Sequence, residues 1–478
     1  MKEKSIKLNA ALNVIKTLTS LLFPLITYSY AARVLMPEGM GRFNFSNSIV
    51  SYFALLAGLG VATYAVREGA KIREQEDKIR VFSSNVFSIN VYATIFAYLL
   101  LILSFLTVPK LQSYTTTILL LSLQIVLTTH SAYWVCNIYE EYSIQTILTI
   151  TAQIAALALL FLFVHTENDL NIYALITVIA YSGSGLILHV YARKYVKFRF
   201  VLKPDLSHLR RILIIFSTSI AATIYISSDI TILGWIAGDR YTGLYGASAN
   251  IYKIVKQLLN AIVAVVVPRF AFYLGTDQYE KLQKLGNALM DYMITICLPT
   301  MVGLFFMSRP IIEVIAGRKF TEAAGSLRLL SIALVFAIFA NFFANCVLLA
   351  YRKEMTVMIA TIISAAVNIL LNLVLIPRFY DRAAAVTTIA AEAVMCGIVW
   401  FYSQKEVRIR AAWRNVVPVL AGCAAIAGIC MFVQRMLNSS ILILAVGIPV
   451  SVAVYGGIQI LMKNMVAADF LKNRGKGI

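Results

Sequence analysis

Apolar residues fall into long runs separated by short charged gaps. Runs of about 20 residues lie at Leu8 to Ala32, Phe43 to Val66, Ser83 to Val108, Tyr114 to Asn137, Tyr142 to Val164, Leu170 to Tyr191 and Ile212 to Ile236. They continue at Leu244 to Val267, Ala288 to Met307, Leu327 to Ala350, Met355 to Ile376, Ala384 to Tyr402, Val416 to Met436 and Ile441 to Met462. A bilayer offers no water to an open backbone, so such runs cross it as helices. The pattern predicts an all-α integral membrane protein with about fourteen transmembrane helices. The first run follows Lys2, Lys4 and Lys7 as a signal peptide would, but it is too long, lacks a small-residue cleavage site and holds Pro24, so it reads as a spanning helix.

Composition agrees. The chain has 478 residues, 60% of them hydrophobic and 14% charged, against roughly 25% charged in soluble domains. Its net charge of +19 would suit a nucleic-acid binder, but the placement of the basic residues excludes that reading. With the N-terminus inside, about 28 of the 42 Lys and Arg fall in inner tails and loops, as cytoplasmic loops require. The 192–211 loop alone holds Arg193, Lys194, Lys197, Arg199, Lys203, Arg210 and Arg211. Both termini are therefore expected in the cytoplasm, with the membrane being the cytoplasmic one. Cys136, Cys297, Cys346, Cys396, Cys423 and Cys430 lie in or at the ends of apolar runs without metal or disulfide spacing, and read as free thiols.

Sliding the chain by about 202 residues sets its N-terminal pattern on a second copy. Gly41 then meets Gly243, Phe43 meets Tyr245, Ser46 meets Ser248, Ile49 meets Ile251 and Arg67 meets Arg269. Six helices is an even number, so the copies would be parallel repeats. The expected organisation is a six-helix lobe over 1–195, a basic cytoplasmic connector over 196–211, a second lobe over 212–404, and an extra two-helix hairpin with a cytoplasmic tail over 405–478.

The exceptions to the apolar pattern mark where function lies, because an ionisable group near the bilayer centre costs roughly 2.5 to 3.5 kcal/mol on insertion scales and so faces a cavity or a partner. In the first helix Asn9, Asn13, Lys16, Ser20, Pro24 and Thr27 share one face. In the eighth, Asn250, Lys253, Gln257 and Asn260 form a stripe with Lys256 one turn away. Lys253 either pairs with Asp229 on the preceding helix or faces a substrate. Lys16 and Lys256 have no evident partner in adjacent helices, and a basic cavity implies an anionic substrate. Glu392, midway along the twelfth helix, either binds a coupling proton or cation or neutralises one of the lysines. Arg67 and Arg269 each open a cytoplasmic loop and are candidates for a cytoplasmic gate. Arg33, Arg42 and Arg240 lie near outer helix ends, where long side chains snorkel.

No phosphate-binding loop is present, and His130, His165, His189 and His208 are scattered, so neither ATP hydrolysis nor a metal centre is supported. No cofactor is expected. A glycan polymerase or ligase would need a clustered acidic pair, which the longest outer loop, about 308–326, does not offer. The chain reads as a transporter rather than an enzyme.

The block from Pro24 through Tyr28, Tyr30, Ala31, Arg33, Val34, Leu35, Pro37, Glu38, Gly39, Gly41, Phe43, Phe45, Ser46 and Ser48 to Tyr64, Arg67, Glu68, Gly69 and Ile72 resembles bacterial polysaccharide flippases. So do Gly243-Leu244-Tyr245, Val267-Pro268-Arg269, Pro299 to Gly303 and Ala323 to Leu330. These are the O-antigen and capsule repeat-unit exporters of the multidrug/oligosaccharidyl-lipid/polysaccharide superfamily. The resemblance implies two six-helix lobes related by a pseudo-two-fold axis around a central cavity. It further implies alternating access that carries an undecaprenyl-diphosphate-linked oligosaccharide to the outer leaflet, beside a polymerase and glycosyltransferases of the same pathway. Basic cavity residues would hold the substrate, a role carried here to Lys16, Lys253 and Lys256, with Asn13, Asn250 and Gln257 beside them. A multidrug extruder and a peptidoglycan-precursor flippase of the same superfamily are the rivals; the excess of lysines over carboxylates counts against the first.

Overall fold

A computed structural model describes residues 6–467, with the side chains of 6–18, 20, 21, 218, 219, 221, 222 and 413 outside the described set. Ten helices among the described residues are long and apolar enough to cross a membrane, with two shorter apolar helices at Thr115–Ser131 and Thr223–Ile236. No strand occurs among those residues.

Two of the ten are far too long for one crossing. Leu22–Ile72 has 51 residues and Glu354–Glu406 has 53, which at 1.5 Å per residue is more than twice the roughly 30 Å hydrocarbon core. Each is broken near its middle, and the first also turns at Leu59 and Gly60 before helix Val61–Gly69. Met36 takes φ 60°, ψ 176°, because the residue before a proline is driven out of the helical region. Pro37 then restarts the helix with its φ already set. Tyr380 takes φ 52°, ψ −127°, three residues after Pro377. Asp381 follows, where an acidic side chain favours a helix start, and its Oδ2 accepts a hydrogen bond from Ser326 at 2.6 Å. The loops expected at these two places are thus single-residue breaks.

The chain divides into two compact units: residues 1–234 with 238–243, and residues 235–237 with 244–478. In the first, Val61, Tyr64, Phe82, Trp134, Val135, Phe198 and Ile212 belong to one buried cluster. The basic connector is pinned over helix Glu76–Thr107 rather than hanging free. The backbone N–H groups of Arg199, Val201 and Asp205 donate to Ser84 Oγ at 3.1 Å, Ser88 Oγ at 2.7 Å and Asn85 Oδ1 at 3.0 Å. Asp205 then caps helix Ser207–Ile236, its carboxylate accepting from the Ser207 N–H at 2.9 Å and from the Ser207 hydroxyl at 2.8 Å. These bonds hold its carboxyl below the usual range.

The second unit uses the same device. Asn287 Oδ1 accepts from the Arg410 N–H and Asp291 Oδ1 from the Ala412 N–H, both at 2.8 Å. Asn85 and Asn287 are separated by the offset that aligns the two copies, the same 202 residues that separate Glu38 from Arg240. The last two long helices, Trp413–Met436 and Ser440–Leu461, pack on helix Tyr279–Phe306: the Tyr455 hydroxyl donates to Thr295 O at 2.6 Å, and Met307 packs with Ile426, Cys430, Val433 and Ile443.

The offset glycines earn their place inside the first unit. A Cβ at Gly41 would stand 1.8 Å from the Asp239 carbonyl oxygen, and one at Gly243 would stand 1.9 Å from the Pro37 carbonyl oxygen. The segments that begin at Pro37 and at Asp239 therefore meet reciprocally, backbone to backbone, and only glycine permits the approach.

Candidate functional site

Helix Asp239–Gly275 carries the polar stripe. Lys253 lies about 21 Å from Asp239 and about 24 Å from Arg269 along the axis, which is as far from both charged ends as the helix allows. Its side chain is exposed, as is that of Gln257. Asn250 lies half-buried one turn earlier, its Nδ2 without a hydrogen-bond partner among the described residues.

Lys256 is different, and here the structure corrects the expectation that it lacks a partner. Its Nζ lies 2.6 Å from Glu392 Oε1, with side-chain exposures of 26% and 5%. The Tyr252 hydroxyl donates to the same oxygen at 3.2 Å, and the Lys256 ammonium stands 5.5 Å from the Tyr252 ring centre. Thr388, one turn before Glu392 on its helix, has its hydroxyl 3.1 Å from that of Tyr245. Of the two roles open to Glu392, neutralising a lysine is the one its geometry fulfils. Its partner Lys256 is a half-buried member of an ion pair, whereas Lys253 is an exposed cation.

Lys16 and Asn13, on the first helix, have side chains outside the described residues. Asp229 is buried on helix Ser207–Ile236 in the first unit. Near it runs a hydroxyl ladder that the lysine-centred reading passed over. Thr231 Oγ1 donates to Ser48 Oγ at 3.0 Å, Tyr52 meets Thr231 at 3.1 Å, and Ser51 meets Ser227 at 3.3 Å. The spacing of Ser48, Ser51 and Tyr52 on one helix face is the signal that could have revealed it. Arg67 is exposed and donates to Glu68 at 3.1 Å, with Lys71 on the other Glu68 oxygen at 2.8 Å; Arg269 is exposed. All six cysteines are free thiols.

Residues 6–273 match the family model described as polysaccharide biosynthesis protein, and residues 215–374 match the MatE model. The chain belongs to the polysaccharide biosynthesis protein family. A relative in Escherichia coli (strain K12), provisionally named an O-antigen transporter, is 24% identical over 396 residues, which cover 80% of this chain and 92% of that one. The capsular polysaccharide biosynthesis protein CapF of Staphylococcus aureus is 21% identical over 404 residues, 82% and 97% of the two chains. Among solved structures, the lipid II flippase MurJ in an inward closed conformation superposes with a TM-score of 0.75 at 15% identity, over 96% of this chain and 99% of that one. An inward-facing multidrug resistance transporter of the MATE family in the MOP superfamily gives 0.63 at 14% identity, over 83% and 98%. Those two likenesses show the fold. This member of the polysaccharide biosynthesis protein family is a multi-pass membrane protein.

Proposed function

We propose that the protein flips an undecaprenyl-diphosphate-linked oligosaccharide repeat unit across the cytoplasmic membrane by alternating access, for surface polysaccharide biosynthesis. Lys253 carries the reading. A cation exposed midway along a spanning helix is too costly to leave in hydrocarbon, so it stands in a wet, substrate-accessible path where a diphosphate is the matching charge. Asn250 and Gln257 flank it on the same helix and can donate to phosphate or sugar oxygens. Lys16 would add a second cation from the first helix. Counting each double-length helix as two spans, and adding the two shorter apolar helices, brings the ten to about fourteen, an even number that would put both termini on one face, the cytoplasmic one in this reading. Arg67 and Arg269 would gate the cytoplasmic side, and a polymerase and glycosyltransferases of the pathway would act on either face.

The test is surface-polysaccharide export in a host lacking its own repeat-unit flippase. A charge-assisted hydrogen bond contributes about 1.5 to 3 kcal/mol, so Lys253→Ala should cut export by roughly 10- to 100-fold with unchanged membrane insertion, and Lys253→Arg should restore part of it. Full export by Lys253→Ala would overturn the assignment. Rescue of a strain depleted of its peptidoglycan-precursor flippase would redirect the substrate to that precursor.

A further inference from the structure

At one end of the second unit, helices Tyr279–Phe306 and Trp413–Met436 finish beside the beginning of helix Ala324–Phe342. Between them is an opening of about 300 Å³ lined by Phe305, Phe306, Arg328, Met431, Gln434 and Arg435. Its lining is two-sided in chemistry: two aromatic rings and a thioether on one hand, two guanidinium groups on the other.

Among the described residues neither Arg328 nor Arg435 is within ion-pair distance of an acidic side chain. The carboxylate of the neighbouring segment, Glu313, is taken by Arg309 Nε at 2.9 Å and by the hydroxyls of Thr321 and Ser440. Arg328 is instead positioned by a neutral partner, its Nε donating to Ser308 Oγ at 3.0 Å, which leaves its Nη groups for another acceptor. A cation at Arg435 suits the last turn of its helix, but that does not explain why a second cation from a different helix converges on the same opening. The floor is fixed as well: Gln434 Nε2 donates to Phe306 O at 3.0 Å and to Cys430 O at 3.1 Å, tying the two helix ends together.

We propose that this opening binds the phosphate group of an anionic membrane lipid, at a place separate from the Lys253 stripe and independent of the transported substrate. Planar guanidinium forks match phosphate oxygens two by two. Two of the spanning helices end at Phe306 and Met436, so the opening lies at headgroup level. Phe305, Phe306 and Met431 supply an apolar surface that a free phosphate would leave uncovered and the glycerol and upper acyl segment of a lipid would cover. The occupant is therefore a lipid and not a dissolved anion. With its headgroup there, the lipid bridges the start of helix Ala324–Phe342 and the end of helix Trp413–Met436.

Native mass spectrometry of the full chain in detergent, titrated with phosphatidylglycerol, tests this. Wild type should retain the lipid with at least tenfold higher affinity than Arg328→Gln/Arg435→Gln, and phosphatidylcholine should bind both proteins equally weakly. Inorganic phosphate at millimolar concentration should not displace phosphatidylglycerol. Equal retention by wild type and the double variant, or equal binding of the two lipids by wild type, overturns the proposal. Displacement by inorganic phosphate overturns the choice of a lipid. Should the glutamine variant not fold, Arg328→Lys/Arg435→Lys keeps both charges but not the forks; it is expected to bind more weakly than wild type, and undiminished binding counts against the guanidinium assignment.

Discussion

Replacing Lys256 by Met asks what a cation beside a carboxylate is for. Without the ammonium, Glu392 is left with 5% side-chain exposure and, among the described residues, the Tyr252 hydroxyl at 3.2 Å as its hydrogen-bond donor. Breaking one side of a buried pair costs about 3 to 5 kcal/mol. Lys256 keeps 26% of its side chain exposed, so water screens part of the pair and the low end, about 3 kcal/mol, is expected. The converse change, Glu392→Leu, strands a lysine whose long stem can reach water, and should cost about 1 kcal/mol. The double variant Lys256→Met/Glu392→Leu removes both charges and should lie within about 1 kcal/mol of wild type, a coupling of about 3 kcal/mol across the cycle. Unfolding of the purified protein in detergent micelles measures all four corners, and the export assay reads function on the same set. Additive costs would refute the pair. A stable double variant that still fails to export would place Lys256 in substrate handling as well.

Other changes test other parts. Gly41→Ala, whose Cβ would stand 1.8 Å from the Asp239 carbonyl oxygen, should cost about 3 kcal/mol or abolish folded protein, whereas Gly303→Ala meets nothing within 4 Å and should be neutral or stabilising by up to about 1 kcal/mol; denaturation midpoints compare them. Asn85→Ala removes the acceptor of the Asp205 N–H and should cost about 1 kcal/mol and speed proteolysis within the 196–211 connector. Burial holds His208, which lies 2.8 Å from the Tyr64 hydroxyl, below its ordinary 6.5, with Asp205 opposing the shift and Arg211 adding to it. The folded state thus prefers the neutral ring. Its contribution is complete above about pH 6.5 and declines as pH falls toward the depressed value, so the decline between about pH 7 and about pH 5 should be shallower in His208→Gln.

Hydropathy exposed most of the fold because a bilayer makes burial a matter of run length: apolar stretches cross, and little else can. It could not reveal that the first two runs, and the eleventh and twelfth, are continuous helix up to Met36 and Tyr380. Charged residues between runs read as loop, whereas Pro37 and Asp381 are equally good helix starts. The offset was legible in Gly41 and Gly243 because backbone contact leaves no choice of residue. Glu392 was legible as a carboxylate that could neutralise a lysine, but not which lysine, since it lies 136 residues from Lys256 and nothing in either helix states which way it faces the other. Arg328 and Arg435 were invisible for a similar reason: each looks like an ordinary interfacial arginine until the helix ends are brought together.

The reciprocal meeting of the Pro37 and Asp239 segments joins two positions 202 residues apart through the same kind of contact on each side. A patch that meets its own counterpart, carbonyl for glycine in both directions, has the form of a self-complementary contact across a two-fold axis. On such an axis a charged residue confronts its own copy, and in a homodimer two like charges would repel. Within one chain the two positions are free to differ, and they do: Glu38 faces Arg240, with 3.4 Å between carboxylate and guanidinium. The pair is too exposed to stabilise much. Its consequence is one of identity rather than energy: in a single chain the two sides of such a contact need not carry the same charge.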